Sequence, residues 1–262
     1  MHAAALDPAN VEQTLRDEGL LPDAPLAVYC AGSVVRGWGN PTSDVDVYVV
    51  TAEPWQGKQA EQVALRLDPR NIAVEVLVHE GRRWDVEYWT DGQVKQVLAK
   101  VSRQALESGA DLGSLLEPAE YDLLDGITHG LDVTDPSWRL MRTEDVSASA
   151  LRTLLVSRAL LRYDEYAEDA VGQLAAGDHE SAVVTAKLAF GFAVDALLAG
   201  HGWWGKSPKW RARRFRAAAP PELTFEQYWR LETMADFDLD DPRRWVESVL
   251  MLGGRISMEV EL

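Results

Sequence analysis

Short apolar runs broken by turn residues fill the first ninety positions, and longer stripes at helical spacing fill the second half. Leu26-Ala27-Val28-Tyr29-Cys30-Ala31 and Val45-Asp46-Val47-Tyr48-Val49-Val50 are four to eight residues long, rich in β-branched and aromatic side chains, and bounded by Gly, Asn and Pro. That pattern predicts strands over 26–31 and 44–51. Two similar runs predict strands over 72–79 and 84–89. A helix is expected over 7–19, opened by Asp7-Pro8 and closed at Gly19. A weaker pattern suggests a short helix over 57–66. Val94, Val97, Leu98, Val101 and Leu106 fall near helical spacing and predict a helix over 92–108. Pro118 opens another through about Thr128, and Asp135-Pro136 marks a turn.

From Ser147 the chain reads as helix after helix. Leu151, Leu154, Leu155, Ala159 and Leu161 give one apolar face. The strongest stripe is Ala182, Val183, Ala186, Ala189, Phe190, Ala193, Val194 and Leu197, which predicts a helix over 179–199 ended by Gly200. Two more are expected over 224–236 and 242–260. The organisation is thus a mixed α/β sheet domain over 1–138 and an all-α bundle over 139–262.

Composition narrows the function classes. The 262 residues carry 26 basic and 42 acidic side chains, a formal charge of −16. A polyphosphate partner needs a basic surface, so a nucleic-acid polymer is not expected as a substrate. A negative field steers cations inward instead. No stretch approaches the roughly 18 continuous apolar residues of a membrane span. Residues 1–20 hold four acids and no long apolar core, so no signal peptide is read. The single cysteine excludes an internal disulfide or a cysteine-based zinc site, and a reducing, cytoplasmic setting is the expectation. Cys30 reads as a packing residue. His129, His179 and His201 lack ligand spacing. Oligomeric state is left open.

The chemistry gathers around Gly32-Ser33 and Asp44-Val45-Asp46. Two aspartates at i and i+2 of a strand point the same way. Anions side by side on a half-buried strand are costly unless a cation joins them. A magnesium ion held by carboxylates and substrate phosphates answers that cost. The Gly-Ser turn lets backbone approach a phosphate. Ten residues separate the turn from the acids, and their second half, through Ser43, is loop by composition. Further acids lie on neighbouring runs: Glu75 in the middle of Ile72–Val78, and Asp85 and Glu87 on one face of Trp84–Trp89. A carboxylate that completes a metal shell or deprotonates an attacking hydroxyl belongs on such a strand. Glu75 is the first choice and Glu87 the second, with Glu87 also a candidate to line the acceptor pocket.

Gly-Ser-x10-Asp-x-Asp, within GSVVRGWGNPTSDVDVYVV, resembles the signature of the DNA polymerase beta-type nucleotidyltransferase superfamily. It is most similar in pattern to aminoglycoside and minimal nucleotidyltransferases, over about residues 26–90. The resemblance implies an α/β nucleotidyltransferase domain followed by a helical bundle. It implies magnesium at Asp44 and Asp46, and a nucleoside triphosphate such as ATP held by Gly32 and Ser33. In the aminoglycoside enzymes a matching Val-Glu-Val strand supplies the base, which makes Glu75 the counterpart here. The implied reaction is transfer of a nucleoside monophosphate to a hydroxyl of a small acceptor. Transfer of AMP to a protein hydroxyl and a non-catalytic nucleotide-binding regulator are the rival readings.

Residues 201–216 stand out in an acidic chain, with six lysines and arginines and four aromatics. Lys206 and Lys209 are candidates for phosphate contact in a loop that caps the cleft. A surface loop whose arginines pair with acids is the alternative. Arg36, near the turn, is a candidate for a phosphate or for an acid partner, and Ser43 a candidate for the nucleotide site. Asp195, a lone acid on an apolar helix face, is a candidate for a cationic acceptor or for a pair with a nearby arginine.

Overall fold

The computed structural model of the chain describes residues 6–57, 60–109, 116–205 and 207–260. It divides into two compact units, Met1–Ser149 and Ala150–Leu262.

The first unit is built on a six-stranded sheet in the order β3-β4-β5-β2-β1-β6. The strands are β1 (Ala27–Ala31), β2 (Val45–Thr51), β3 (Glu61–Ala64), β4 (Asn71–His79), β5 (Arg82–Thr90) and β6 (Leu131–Asp132). Neighbours run antiparallel except β2 and β5, which are parallel. The sheet is therefore mixed, as the alternating runs predict. Glu80 and Gly81 both take positive φ between β4 and β5, the backbone of a tight hairpin turn.

Around the sheet lie α1 (Pro8–Asp17), α2 (Gly32–Val35), α3 (Asp91–Lys100), α4 (Arg103–Glu107), α5 (Pro118–His129) and α6 (Ser137–Ala148). Asp7 caps α1 by accepting from Ala9 N–H, and Gly19 follows it at φ 69°. One sheet face buries Val28, Cys30, Val45, Val47, Val49, Trp84, Val86 and Tyr88 together with Val11 and Leu15 of α1. The other face meets α5, where Gly126 comes so close to Tyr29 and Ala31 that a Cβ would stand 3.1 Å and 3.2 Å from their side chains.

Four expectations change. Residues 61–64 are a strand rather than part of a helix over 57–66, because their backbone pairs with β4 at the sheet edge. The helix over 92–108 breaks after Lys100, and Ser102 caps a new one by accepting from Ala105 N–H. A helix not expected from the sequence, α6, spans Ser137–Ala148. It moves the division between units from 138/139 to 149/150. Side chains explain its place. Arg139 makes two 2.6 Å bonds to the Asp132 carboxylate and donates to the Ile127 carbonyl. Trp138 and Arg142 both donate to Asp91.

The second unit consists of α7 (Leu151–Ala176), α8 (His179–Gly200), α9 (Arg211–Ala218), α10 (Phe225–Glu232) and α11 (Pro242–Glu259), with a short 3-10 turn, Pro208–Trp210. The predicted stripe of α8 is its core: Ala182, Ala186, Ala189, Phe190, Ala193, Val194 and Leu197 are buried among Tyr163, Phe215, Tyr228 and Trp245. By length and composition α8 could cross a membrane, and 61% of that stretch is buried inside the unit. The helix runs through Gly200 rather than ending there. The glycine with positive φ is Gly202, and Trp203 N–H closes the end on the Leu198 carbonyl.

Candidate active site

The Gly-Ser turn and the acids meet at the end of β1 and β2. Ala31 pairs with Asp46, so Gly32 begins α2 directly beside the Asp46 side chain. Gly32 has φ +76°, and a Cβ there would stand 1.9 Å from Asp46 Oδ2. Glycine is required twice, for backbone and for space. Behind the turn the loop is self-bonded. Trp38 and Gly39 N–H both donate to the Ser33 carbonyl. Ser43 Oγ accepts from Asn40 N–H, and the Ser43 carbonyl accepts from Arg82. Ser43 thus shapes the loop with its own hydroxyl.

The parallel ladder of β2 and β5 sets the acids. Asp46 is in register with Asp85 and Tyr48 with Glu87. In-register residues on neighbouring strands share a face, with strands about 4.8 Å apart. Asp44, one residue before β2 and exposed, shares that face by alternation. In the antiparallel ladder of β5 and β4, Val76 lies opposite Asp85 and Glu75 opposite Val86. Glu75 therefore projects from the other face, with Val47 and Val86. It is 8% exposed and close enough to Tyr88 to push that phenol's pKa up, after the larger effect of burial. As base or metal ligand beside Asp46, Glu75 is excluded by strand parity. Buried apolar neighbours mark it as a core carboxylate.

Glu87 is on the correct face but engaged. Trp89 Nε1 donates to its Oε2 at 2.9 Å. Burial first, and then the charge of Glu87, pushes the Tyr29 and Tyr48 phenols well above their ordinary range. Asp85 is the acid that stands next to Asp46. Its Oδ1 accepts from Arg83 Nε at 2.7 Å.

The remaining candidates are held by internal partners. Arg36 pairs with Asp125 of α5, which also meets His129, and stacks 5.0 Å over Trp38. It supports the turn through an acid partner. Asp195, in the second unit, receives Arg211 at 2.8 Å and 3.0 Å and Arg214 at 3.2 Å. Of its two expected readings the arginine pair is the one seen, and Arg211 and Arg214 of the basic segment are thereby held by an acid. Lys209 is exposed and lies 5.3 Å from the Trp210 ring. Lys206 falls outside the described residues.

Among the described residues no three of His, Cys, Asp and Glu converge as a ready metal cage. The donors still suit a hard divalent cation. Asp46 and Asp85 stand side by side, Asp44 shares their face, and the missing Cβ of Gly32 lets the Asp46 carboxylate pack against the turn.

A family model described as a nucleotidyltransferase domain matches residues 10–109. Among solved structures, the chain is similar to a nucleotidyltransferase-like protein from Exiguobacterium sibiricum 255-15, at 9% identity and a TM-score of 0.50, over 96% of this chain and 75% of that one. At that identity the likeness concerns the fold. No curated protein matches the chain. The matched segment contains strands β1 to β5, the Gly32 turn and the acids on β2 and β5, so residues 10–109 are a domain of the nucleotidyltransferase superfamily.

Proposed function

We propose that the chain is an enzyme that transfers a nucleoside monophosphate, AMP from ATP, to a hydroxyl of a small acceptor. The observation that carries this reading is the in-register pair Asp46 and Asp85 with Gly32 packed against Asp46. Asp44, Asp46 and Asp85 would hold magnesium, which when bound neutralises phosphate charge and aligns the triphosphate. The turn at Gly32 and Ser33 receives the phosphates through its backbone and the Ser33 hydroxyl. Asp85, beside Asp46 in the parallel ladder, takes the proton from the acceptor hydroxyl as its oxygen bonds to the α-phosphorus. The bond to the departing pyrophosphate breaks in the same displacement. Most of the rate gain comes from alignment and charge.

The acceptor is read as a cation, an aminoglycoside-like compound being the model. The formal charge of −16, and Glu61 and Glu87 on the same face as Asp85, support that reading. The test is pyrophosphate release from ATP and magnesium across a panel of hydroxyl-bearing acceptors. Asp46→Asn abolishes release in a folded chain. Full activity in that variant overturns the reading.

A further inference from the structure

Arg83 is a cation in a row of acids. Alternation along β5 puts it on the face of Asp85, and its Nε donates to Asp85 Oδ1 at 2.7 Å. On the neighbouring strand its register partner is Val78, an apolar side chain 72% exposed. Nothing on that strand competes for the guanidinium. The next arginine, Arg82, alternates to the other side and donates to the Ser43 carbonyl. The Arg83 side chain is 55% exposed, against 24% for Asp85. It is bonded to Asp85 through Nε and otherwise faces solvent.

We infer that Arg83 is the resident counter-ion of this row, neutralising Asp85 and Asp44 in the metal-free chain and passing to the phosphates of the nucleotide when a divalent ion replaces it. The inference rests on the nucleotidyl-transfer reading and deepens it by giving the site a positioning residue. Carboxylates on one face repel each other until a cation joins them. The guanidinium's pKa is raised, first by its hydrogen bond to Asp85 and then by the charges of Asp85, Asp44 and Glu61. An exposed ion pair of this kind contributes little, so it screens the acids without locking them. A divalent ion arriving alone displaces the guanidinium and leaves it without an anion. Arriving with a triphosphate, it gives the guanidinium a planar, two-oxygen partner that suits it better than a single carboxylate oxygen. Ion and nucleotide therefore bind with positive coupling, and the coupling is reciprocal.

Manganese binding measured by calorimetry on the full chain, with and without α,β-methylene ATP, tests this. The nucleotide tightens manganese binding by the wild type at least about fivefold. Arg83→Gln binds manganese alone more tightly than the wild type, and the gain from nucleotide shrinks toward none. Arg83→Lys, which keeps the charge, retains most of the coupling. Manganese affinity in Arg83→Gln equal to or weaker than wild type, or an undiminished gain from nucleotide, overturns the inference. Asp46→Asn in the same assay separates the two claims. Its loss of manganese binding upholds the nucleotidyl-transfer site whatever Arg83 does, and unchanged binding overturns that site itself.

Discussion

Asp46 on β2 and Asp85 on β5 are neighbours in a parallel ladder, while Glu75, one strand further on, points through the sheet to the opposite side. A base must touch the face on which the reaction runs. Asp85→Asn is expected to lower pyrophosphate release by about a hundredfold or more. Glu75→Gln, which keeps shape and burial, is expected to leave turnover at the wild-type level. Steady-state rates of the two variants under identical metal and nucleotide decide the assignment.

Gly32→Ala tests the turn. The added methyl meets Asp46 Oδ2 and enforces a positive φ on a residue with a Cβ. Backbone strain alone costs about 1–3 kcal/mol. Displacement of Asp46 is expected to lower activity further, by about a hundredfold for a shift near 1 Å. Thermal unfolding and turnover of the same preparation measure both. A variant as stable and as active as the wild type would show that the turn tolerates a side chain.

Cys30 lies in the core of β1, and its thiol is pushed up to about 12 from an ordinary 9.0, by burial first and by the charge of Asp46 second. Iodoacetamide at pH 8 is expected to leave the native chain unlabelled and to label it in urea. The sign of the pH effect follows from the raised value. The neutral thiol's contribution is whole below about pH 9 and is lost as pH rises toward 12, because the unfolded chain gives up its proton first. Melting temperature against pH should fall less steeply above pH 9 in Cys30→Ala than in the wild type.

Asp195→Ala removes the carboxylate shared by Arg211 and Arg214, and the Arg214 side chain is only 4% exposed. A buried guanidinium left without its anion is costly, about 3 kcal/mol. Chemical unfolding followed by far-UV circular dichroism is expected to show the helical unit melting earlier. If stability is unchanged, the pair is ornamental and Asp195 is again open as a ligand-binding acid.

Much of the fold was legible because period-2 runs such as Val45–Val50 and the α8 stripe each bury one continuous surface. The Gly32 turn and the pair Asp44 and Asp46 were legible because their spacing carries a family signature. What composition hides is register. Val-Glu-Val around Glu75 and Asp-Val-Glu at 85–87 look alike as isolated strands, and only the pairing of β4 with β5 tells which face each acid meets. Helix α6 was hidden for a related reason. Its stability comes from Arg139 and Arg142 reaching Asp132 and Asp91, partners distant in the chain or outside the helix, and not from a broad apolar stripe. The edge strand β3 is exposed throughout and offers too little apolar alternation to be read as a strand.

The parallel junction between β2 and β5 is also a folding seam. β1 with β2, and β4 with β5, pair antiparallel with their sequence neighbours, and each can form from local chain. Joining the two halves closes a long loop and comes at greater entropic cost. Asp46 belongs to one half and Asp85 to the other, so the row of acids is complete only when the halves join. An ion held by that row, as in the proposed function, would favour the joined halves and so report the last step of assembly. Amide exchange at Val47 and Val86 should accordingly follow global unfolding and slow further when ion and nucleotide are added together.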